Sequence, residues 1–258
     1  MCLIAFAYKL HPRYPLIFLG NRDEFHARPT RPAQFWPEAP NLLGGKDLQA
    51  GGSWLGLNRQ GYLAAVTNVR EPAVPPGPRS RGALVTDYLI THQGRLDDFF
   101  HSIQGQINEY SGFNLLLGRF DDLHYLSNRS PSTAPMPLEP GLYGLSNHLL
   151  DTPWPKVLRT KQALEQQLAH SEPDEDALLA ILQDPTPAPD HELPDTGVGL
   201  ANERFLSSAF IVSPIYGTRA SSLILVAEDQ TITFIEQNYS PSGNPDGRQK
   251  FRFRPEEC

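Results

Sequence analysis

MCLIAFAYKLHPRYPLIFLGNRDE, residues 1–24, is the stretch of sequence that decides the fold. It contains two apolar runs, Leu3–Tyr8 and Leu16–Gly20, joined by a polar connection that includes prolines. Short apolar runs on either side of a turn-forming connection predict a hairpin of two well-buried strands. The polar residues Asn21–Glu24 follow the second run, where the hairpin returns the chain toward Cys2. We therefore expect a functional site at this end of the hairpin.

Cys2 carries the candidate chemistry. Initiator methionine is removed when the second residue is small, and loss of Met1 would leave Cys2 with a free α-amine beside its own thiol. The pKa of such an amine is about 7.7–8.0, so part of it is unprotonated at neutral pH and can accept the thiol proton. A nucleophile activated by its own N-terminal amine is an established catalytic arrangement. The alternative is that Cys2 is a small buried hydrophobic residue without a role in chemistry.

Composition restricts the class of protein. The chain has 258 residues and a formal net charge of −7, which argues against a nucleic-acid-binding or anionic-membrane-binding surface. No segment approaches the ~20 apolar residues that a membrane span requires. The cysteines, Cys2 and Cys258, provide no disulfide framework, which favours a cytoplasmic protein, and Cys258 is interpreted as a tail thiol without a role. The histidines show no metal-binding spacing, so no metal site is predicted, and the oligomeric state is left open.

The rest of the chain alternates between strand-like and helix-like segments. Further strands are predicted from hairpin-like and alternating patterns at Gly51–Leu57, Tyr62–Asn68, Phe113–Gly118, Leu123–Leu126, Ser207–Val212, Ser221–Ala227, Thr231–Glu236 and Phe251–Arg254. Helices are predicted from apolar periodicity and start signals at Arg81–His92, Leu96–Ile107, Lys156–His170 and Asp174–Leu182. The proline-rich segment Ala27–Pro40 is predicted to be irregular.

This order of elements predicts an α+β protein. Strands at both ends of the chain with helices between them indicate two antiparallel sheets with helices on the outside. The proline-rich stretches are short and are interpreted as loops within one domain spanning residues 1–258, not as linkers.

At Asn21-Arg22-Asp23-Glu24 the sequence resembles the NRDE family, also called the transport and Golgi organisation protein 2 family. The resemblance runs nearly from end to end, and several blocks carry it in order. These blocks are Met1-Cys2, Asn21–Glu24, Gly51–Gly56, Thr67–Arg70, Ser80–Gly82, Gly112–Leu115, Gly144–Asn147, Leu150–Val157 and Tyr216–Arg219.

The resemblance implies a four-layer α-β-β-α sandwich of the N-terminal-nucleophile hydrolases, with kin among penicillin-V-acylase-like and acid-ceramidase-like enzymes. It implies that Cys2 is the nucleophile and that Asp23 holds the α-amine. Asn147 corresponds to the oxyanion-hole amide, with Asn68 as a second candidate, and Arg219 to an arginine near the nucleophile or a substrate carboxylate. We therefore expect Cys2, Asp23, Asn147 and Arg219 to line one pocket.

Each of these residues also has a purely structural interpretation. Asp23 can form a strand-end salt bridge, Asn147 can cap a loop, and Arg219 can be a solvated turn residue. The sequence also departs from the acylases, which carry an arginine three residues ahead of the aspartate, where this chain has Gly20. The neighbouring Arg22 points to the opposite face from Asp23 if the strand continues.

Two functions remain open at this level. One, which the resemblance implies, is binding and transfer of haem, or of an acyl-CoA-like or lipid-like cargo, inside the cell, with no cofactor required. The other is hydrolysis of a small amide or acyl substrate at a C–N bond other than a peptide bond, through Cys2. Gly20 favours the first. Residues proposed as cargo contacts are Asn21, Arg22, Asp23, Glu24 and His26. Cations proposed for haem propionates or phosphates are Arg22, Arg70, Arg81 and Arg219.

Overall fold

The N-terminal hairpin forms as predicted, with longer strands. In the computed structural model, which describes residues 2–256, β1 (Cys2–His11) pairs antiparallel with β2 (Tyr14–Phe25). The register places Cys2 directly opposite Arg22. The predictions that concern removal of Met1 and the role of Cys258 lie outside the described residues.

The described residues contain thirteen strands and five α-helices. After the hairpin, the strands are β3 (Thr30–Trp36), β4 (Ala39–Asp47), β5 (Leu55–Asn58), β6 (Tyr62–Asn68), β7 (Phe113–Arg119), β8 (Asp122–Ser127), β9 (Met136–Pro137), β10 (Gly141–Leu145), β11 (Tyr216–Val226), β12 (Ile232–Tyr239) and β13 (Pro245–Phe253). The helices are α1 (Arg81–Thr86), α2 (Leu96–Gln104), α3 (Pro155–Gln167), α4 (Glu175–Ile181) and α5 (Leu200–Phe205).

These strands form two antiparallel sheets. The six-stranded sheet has the order β10-β1-β2-β11-β12-β13, so its central strands come from both ends of the chain. The seven-stranded sheet follows chain order from β3 to β9. The hairpin β1–β2 therefore lies inside a sheet that the C-terminal third of the chain completes.

Three apolar cores fix a four-layer α-β-β-α sandwich, which confirms the predicted fold. The inward-facing side chains of both sheets, among them Phe6, Phe18 and Leu116, form the core between the sheets. The outer face of the seven-stranded sheet packs against α1 and α2, and the outer face of the six-stranded sheet packs against α3 and α4. Each sheet thus buries both faces, which explains why the first strands are continuous apolar runs.

The segment from Ala27 to Pro40 is not irregular, and that prediction is wrong. It forms β3 and begins β4, and β3 is the edge strand of its sheet. Pro32 lies where the β3–β4 register shifts between Arg31 and Gln34. Proline is compatible with an edge strand and with such a bulge because neither position needs its missing N–H.

Ser207–Val212 is not a strand, contrary to the prediction. Its polar groups bond locally or to other loops, because Ser208 Oγ donates to the Phe210 carbonyl and Phe210 N donates to the Asp184 carbonyl. Side chain–backbone bonds of this kind compete with a strand ladder. The predicted helix Arg81–His92 also differs in detail, since α1 continues into one turn of π-helix, Asp87–Thr91.

Within the part of the chain that the structure describes, no helix is both long enough and apolar enough to cross a membrane.

Candidate functional site

One row of side chains crosses four strands of the six-stranded sheet at the open end of the sandwich. The register pairs Cys2 with Arg22, Arg22 with Ala220, and Ala220 with Asn238. All four residues line one cavity of about 730 Å³ between the sheets. Cys2 is 7% exposed, so its thiol lies at the floor of this cavity and not on the outer surface.

The opposite wall comes from the seven-stranded sheet and from the segment that leads into α1. Gly52, Trp54, Asn68 and Gly82 are among its residues. A Cβ atom on Gly52 would lie 2.4 Å from the carbonyl carbon of Gly82, so the two backbones touch there. This contact explains why small residues precede Trp54, since a side chain at position 52 would not fit there.

Gly20 has a structural reason for replacing the arginine of the acylases. A Cβ atom at position 20 would lie 2.9 Å from Cη2 of Trp54. The indole ring therefore occupies the space into which a side chain at this position would extend. The same strand carries Arg22 into the cavity, directly across from Cys2.

Asp23 is buried and held by the neighbouring strand. Thr218 Oγ1 donates a hydrogen bond of 2.8 Å to Asp23 Oδ1, and Tyr216 donates from its hydroxyl to the Asp23 carbonyl. Burial raises the pKa of the Asp23 carboxyl, while nearby cations, including Lys156 and Arg22, oppose that rise. Burial also raises the pKa of the Cys2 thiol, so this thiol needs a base before it can act as a nucleophile.

Lys156 is a residue that sequence reasoning missed. It lies in the first turn of α3, is 2% exposed, and donates from Nζ to the Leu206 carbonyl at 3.0 Å. Burial lowers the pKa of Lys156 to about 8. Its position in the Leu150–Val157 block is the only signal in the sequence, because a lysine in a polar helix is ordinarily exposed.

The structure brings Asn68 and Asn147 together but gives them different positions. Asn68 lines the cavity. Asn147 is buried behind it and donates from Nδ2 to the backbone carbonyl of Asn68 at 3.2 Å and to its Oδ1 at 3.0 Å. The sequence ranks Asn147 first as an oxyanion donor, yet its amide is committed to Asn68. Asn68 is therefore the better placed of the two.

Arg219 reaches the cavity and also organises the connection from β2 to β3. Its Nη1 donates to the carbonyls of Phe25, His26 and Arg28, and its Nη2 donates to Thr30 Oγ1. Of the four residues expected to line one pocket, Cys2, Asp23 and Arg219 line this cavity. Asn147 does not, and it contacts the lining residue Asn68 from behind.

Two further cations differ in their availability. Arg81 lines the cavity, and its Nη1 donates to the Gly112 carbonyl at 3.2 Å. Neither Arg81 nor Arg219 forms an ion pair with any carboxylate of residues 2–256. Arg70, by contrast, is paired with Glu203 beside Trp154 on the outer side of the sheet, so it does not serve as a cavity cation as the sequence suggested.

Asn21 and His26 do not line the cavity, contrary to the expectation that they contact cargo. Asn21 is 0% exposed and donates from Nδ2 to the carbonyls of Leu182 and Ala209, because alternation along β2 turns it toward the helices. His26 donates from Nε2 to the Ser213 carbonyl at 3.0 Å. Glu24 does line the cavity, near Arg22. No cluster of three or more metal-ligating side chains occurs in residues 2–256.

Glu236 is the second missed residue. It follows Ile232 and Phe234 on the inward face of β12 and is 3% exposed at the cavity. Its place in that alternation was a readable signal, because every second residue of a strand shares one face.

The sandwich with a cysteine at the start of its central hairpin defines the fold class of the N-terminal-nucleophile hydrolases. A solved structure of a mutant conjugated bile acid hydrolase from Clostridium perfringens shares this fold, with a TM-score of 0.51 and 8% sequence identity over 99% of this chain and 98% of that chain. The chain belongs to the Transport and Golgi organisation 2 family, whose model matches residues 1–241.

Similar proteins occur in mammals and insects. The Transport and Golgi organization protein 2 homolog of Bos taurus is 35% identical, and that of Homo sapiens 34%, each over 92% of this chain and 93% of the relative. The Transport and Golgi organization protein 2 of Drosophila melanogaster is 30% identical over 92% of each chain.

Proposed function

We propose that this chain binds and transfers an anionic acyl compound of the acyl-CoA type, held in the cavity above Cys2. The observation that carries the proposal is the charge of the lining. Seven cationic side chains line the cavity against five carboxylates, in a chain whose formal net charge is −7. A local positive excess in an acidic protein favours an anionic ligand. The seven cations are Arg22, Arg28, Arg31, Lys46, Arg79, Arg81 and Arg219.

Arg81 is the best placed of these cations to bind a phosphate. Its guanidinium is half-buried, has no carboxylate partner among residues 2–256, and makes only one hydrogen bond, to Gly112. Arg28 and Arg79, by comparison, are neutralised by Asp47 and Glu109 at 2.6 Å each. A guanidinium with free N–H groups forms strong, charge-assisted hydrogen bonds with phosphate oxygens.

The side chains that line the cavity suit an acyl-CoA better than a haem. A haem needs an apolar slot for its two faces, whereas the larger apolar side chains of this lining, Trp54, Val66 and Tyr239, stand among charged groups. No histidine of residues 2–256 lines the cavity, and His26 is turned toward Ser213. The phosphates of a CoA group, in contrast, match the arginines.

Hydrolysis through Cys2 is the second candidate, and the position of the thiol favours it. The Cys2 sulfur would bond to the acyl carbon while the bond to the leaving sulfur or nitrogen breaks, and the leaving group would take the thiol proton by way of the α-amine. Water would then release the acid and restore the thiol. Asn68, which lines the cavity, would stabilise the oxyanion.

Binding of butyryl-CoA, measured by titration calorimetry, tests the proposal. Replacing Arg81→Met should weaken binding roughly ten- to a hundredfold, because a charge-assisted hydrogen bond to phosphate is lost. Arg95→Met is the matched control, since Arg95 is exposed, pairs with Asp98, and lies outside the cavity. Absence of binding by the wild type, or equal affinity of the Arg81→Met variant, would overturn the proposal.

Release of free CoA from butyryl-CoA separates the two candidates. A carrier should show no saturable release, and Cys2→Ala should bind butyryl-CoA as tightly as the wild type. Saturable release that disappears in Cys2→Ala would instead establish the hydrolase. A parallel haem titration followed by absorption should show no saturable change.

A further inference from the structure

Glu236 is a buried carboxylate in the wall of the cavity. Its Oε1 accepts hydrogen bonds from Ala33 N at 2.7 Å and from Asn238 Nδ2 at 3.4 Å. No lysine or arginine of residues 2–256 forms an ion pair with it. A buried charge that lacks a partner costs stability, so its presence at a cavity requires an explanation.

The second carboxylate oxygen of Glu236 lies beside Gly45, and both residues line the cavity. Oε2 accepts no hydrogen bond from the described residues, and a Cβ atom built on Gly45 would lie 3.3 Å from it. Gly45 itself lines the cavity. The absence of a side chain at position 45 therefore leaves Oε2 accessible to a ligand.

The side chains around Glu236 also have spare hydrogen-bonding capacity. Asn238 lies two residues after Glu236 on the same face of β12. Its Nδ2 donates to Gln249 and Glu236, but its Oδ1 accepts no hydrogen bond from residues 2–256. Ser222, directly across the sheet from Glu236, is fully buried, and its hydroxyl has no partner among the described residues. Arg22 lies in the same row of the sheet as Asn238, but Ala220 separates the two residues.

We infer that Glu236 and Asn238 form a subsite that accepts hydrogen bonds from N–H or O–H donors of the ligand. This inference rests on the proposed function and specifies how the uncharged arm of the ligand is held. The pantetheine arm of an acyl-CoA carries amide N–H groups and a hydroxyl, which are donors of the required kind. Asn238 lies three strand spacings from Cys2, about 14 Å, so the arm would cross the sheet between the thiol and this subsite.

The subsite accounts for the placement of charge on both sides of the cavity. Arginines such as Arg81 meet phosphates, whereas Glu236 meets the amide N–H groups or the hydroxyl of the pantetheine arm. Burial raises the pKa of Glu236, and a donor bonded to Oε2 would oppose this rise by stabilising the charged form. Hydrogen bonds to a charged acceptor are about twice as strong as those between neutral groups.

Two probes test the subsite: butyryl-CoA, and S-butyryl-pantetheine, which keeps the arm but lacks the nucleotide and its phosphates. Glu236→Gln preserves the shape and an acceptor for Ala33 N but presents an amide N–H₂ toward the ligand. We expect it to weaken binding of both probes about tenfold. Glu172→Gln is the matched control, because it removes the same charge from an exposed residue that pairs with Arg13 and lies outside the cavity. It should leave the affinity for S-butyryl-pantetheine unchanged.

A second variant covers the case in which Glu236→Gln fails to fold. Gly45→Ala keeps Glu236 but places a methyl group 3.3 Å from Oε2, where it crowds that oxygen, and it should weaken both probes several-fold or more. Normal binding by every variant that folds would overturn the subsite while butyryl-CoA binding by the wild type still supports the proposed function. Tight binding of S-butyryl-pantetheine alone, weakened by Glu236→Gln, would support the subsite and overturn the phosphate contacts. Failure of both probes to bind the wild type would overturn both.

Discussion

Lys156 shows how much a single residue can depend on its surroundings. It lies in the first turn of a polar helix, yet its ammonium group is buried, donates to the Leu206 carbonyl and interacts with the charge of Asp23. Burial lowers its pKa from 10.5 to about 8, and Asp23 is the largest opposing influence. The charged form is therefore less favourable in the folded chain than in the unfolded one.

This shift predicts a specific dependence of stability on pH. Between pH 8 and 10.5 the unfolded chain binds more protons at Lys156, so the free energy of unfolding rises with pH in this window, and the destabilisation is fully present below it. Replacing Lys156→Met removes the effect. We expect the wild type to gain about 2 kcal/mol relative to this variant between about pH 7.5 and 9.5, measured by urea unfolding.

Lys161→Met provides the control for the Lys156 experiment. Lys161 is on the same helix but is partly exposed and paired with Asp151. Its stability curve should remain parallel to that of the wild type across the same pH window. Parallel curves for the Lys156→Met variant and the wild type would contradict the buried ammonium group.

Sequence reasoning reached some site residues and missed others for identifiable reasons. Cys2 and Asp23 could be predicted together, because a hairpin brings the end of its second strand back to the start of its first. Lys156 and Glu236 could not be assigned with the same ease. Whether a charged side chain is buried depends on which distant segment covers it, and a single sequence does not reveal that segment.

At the scale of elements, the connection from β2 to β3 depends on one side chain from β11. Arg219 donates three hydrogen bonds to the carbonyls of Phe25, His26 and Arg28. Within the same connection, His26 N donates to Ile215 O and Arg28 N to Phe25 O, so both amides are protected from exchange. The guanidinium thus adds to the connection's own backbone hydrogen bond and ties it to β11.

Removing this guanidinium should loosen the connection locally. In Arg219→Ala we expect the His26 and Arg28 amides to exchange with solvent roughly ten- to a hundredfold faster, because hydrogen bonds to a charged donor contribute about 1.5–3 kcal/mol. Hydrogen exchange followed by NMR measures this change. Arg248→Ala, which removes an exposed pair with Asp176 on β13, should leave both amides unaffected. Unchanged exchange in Arg219→Ala would show that other contacts hold the turn.

Most elements could be predicted, and the errors have a common cause. Apolar alternation and turn residues located the hairpin of β5 and β6, where Gly61 adopts the positive φ of 84° that the turn requires. The strands β3 and β4 were missed because their prolines suggest loop, and only the position of β3 at the sheet edge makes them compatible with pairing. Edge positions are set by tertiary structure, which local patterns do not contain.

At the scale of the whole molecule, the sequence predicts one domain, and the tryptophans offer a test of it. Trp36 lies in the core under α1 and α2, Trp54 lies between the sheets, and Trp154 lies on the outer side of the six-stranded sheet. Variants that keep one tryptophan and replace the others with phenylalanine report on each layer separately. Within each variant, we expect fluorescence and far-UV circular dichroism to give the same urea midpoint, because a single domain unfolds in one transition.

Distinct midpoints within one variant would contradict the single domain. In particular, an earlier transition for Trp154 than for the circular dichroism signal would mean that the six-stranded sheet and its helices unfold before the other sheet.

The strand order of the six-stranded sheet also determines when this sheet can form during synthesis of the chain. The seven-stranded sheet follows chain order and can assemble as its residues emerge from the ribosome, but β2 must wait for β11. About 190 residues separate Phe25 from Tyr216, which corresponds to roughly 10–40 s at ordinary rates of translation. Throughout that interval the nascent hairpin presents the edge of an apolar strand, which is a template for association with other chains. Shielding this edge until translation reaches β11 is a task that the topology leaves to molecular chaperones.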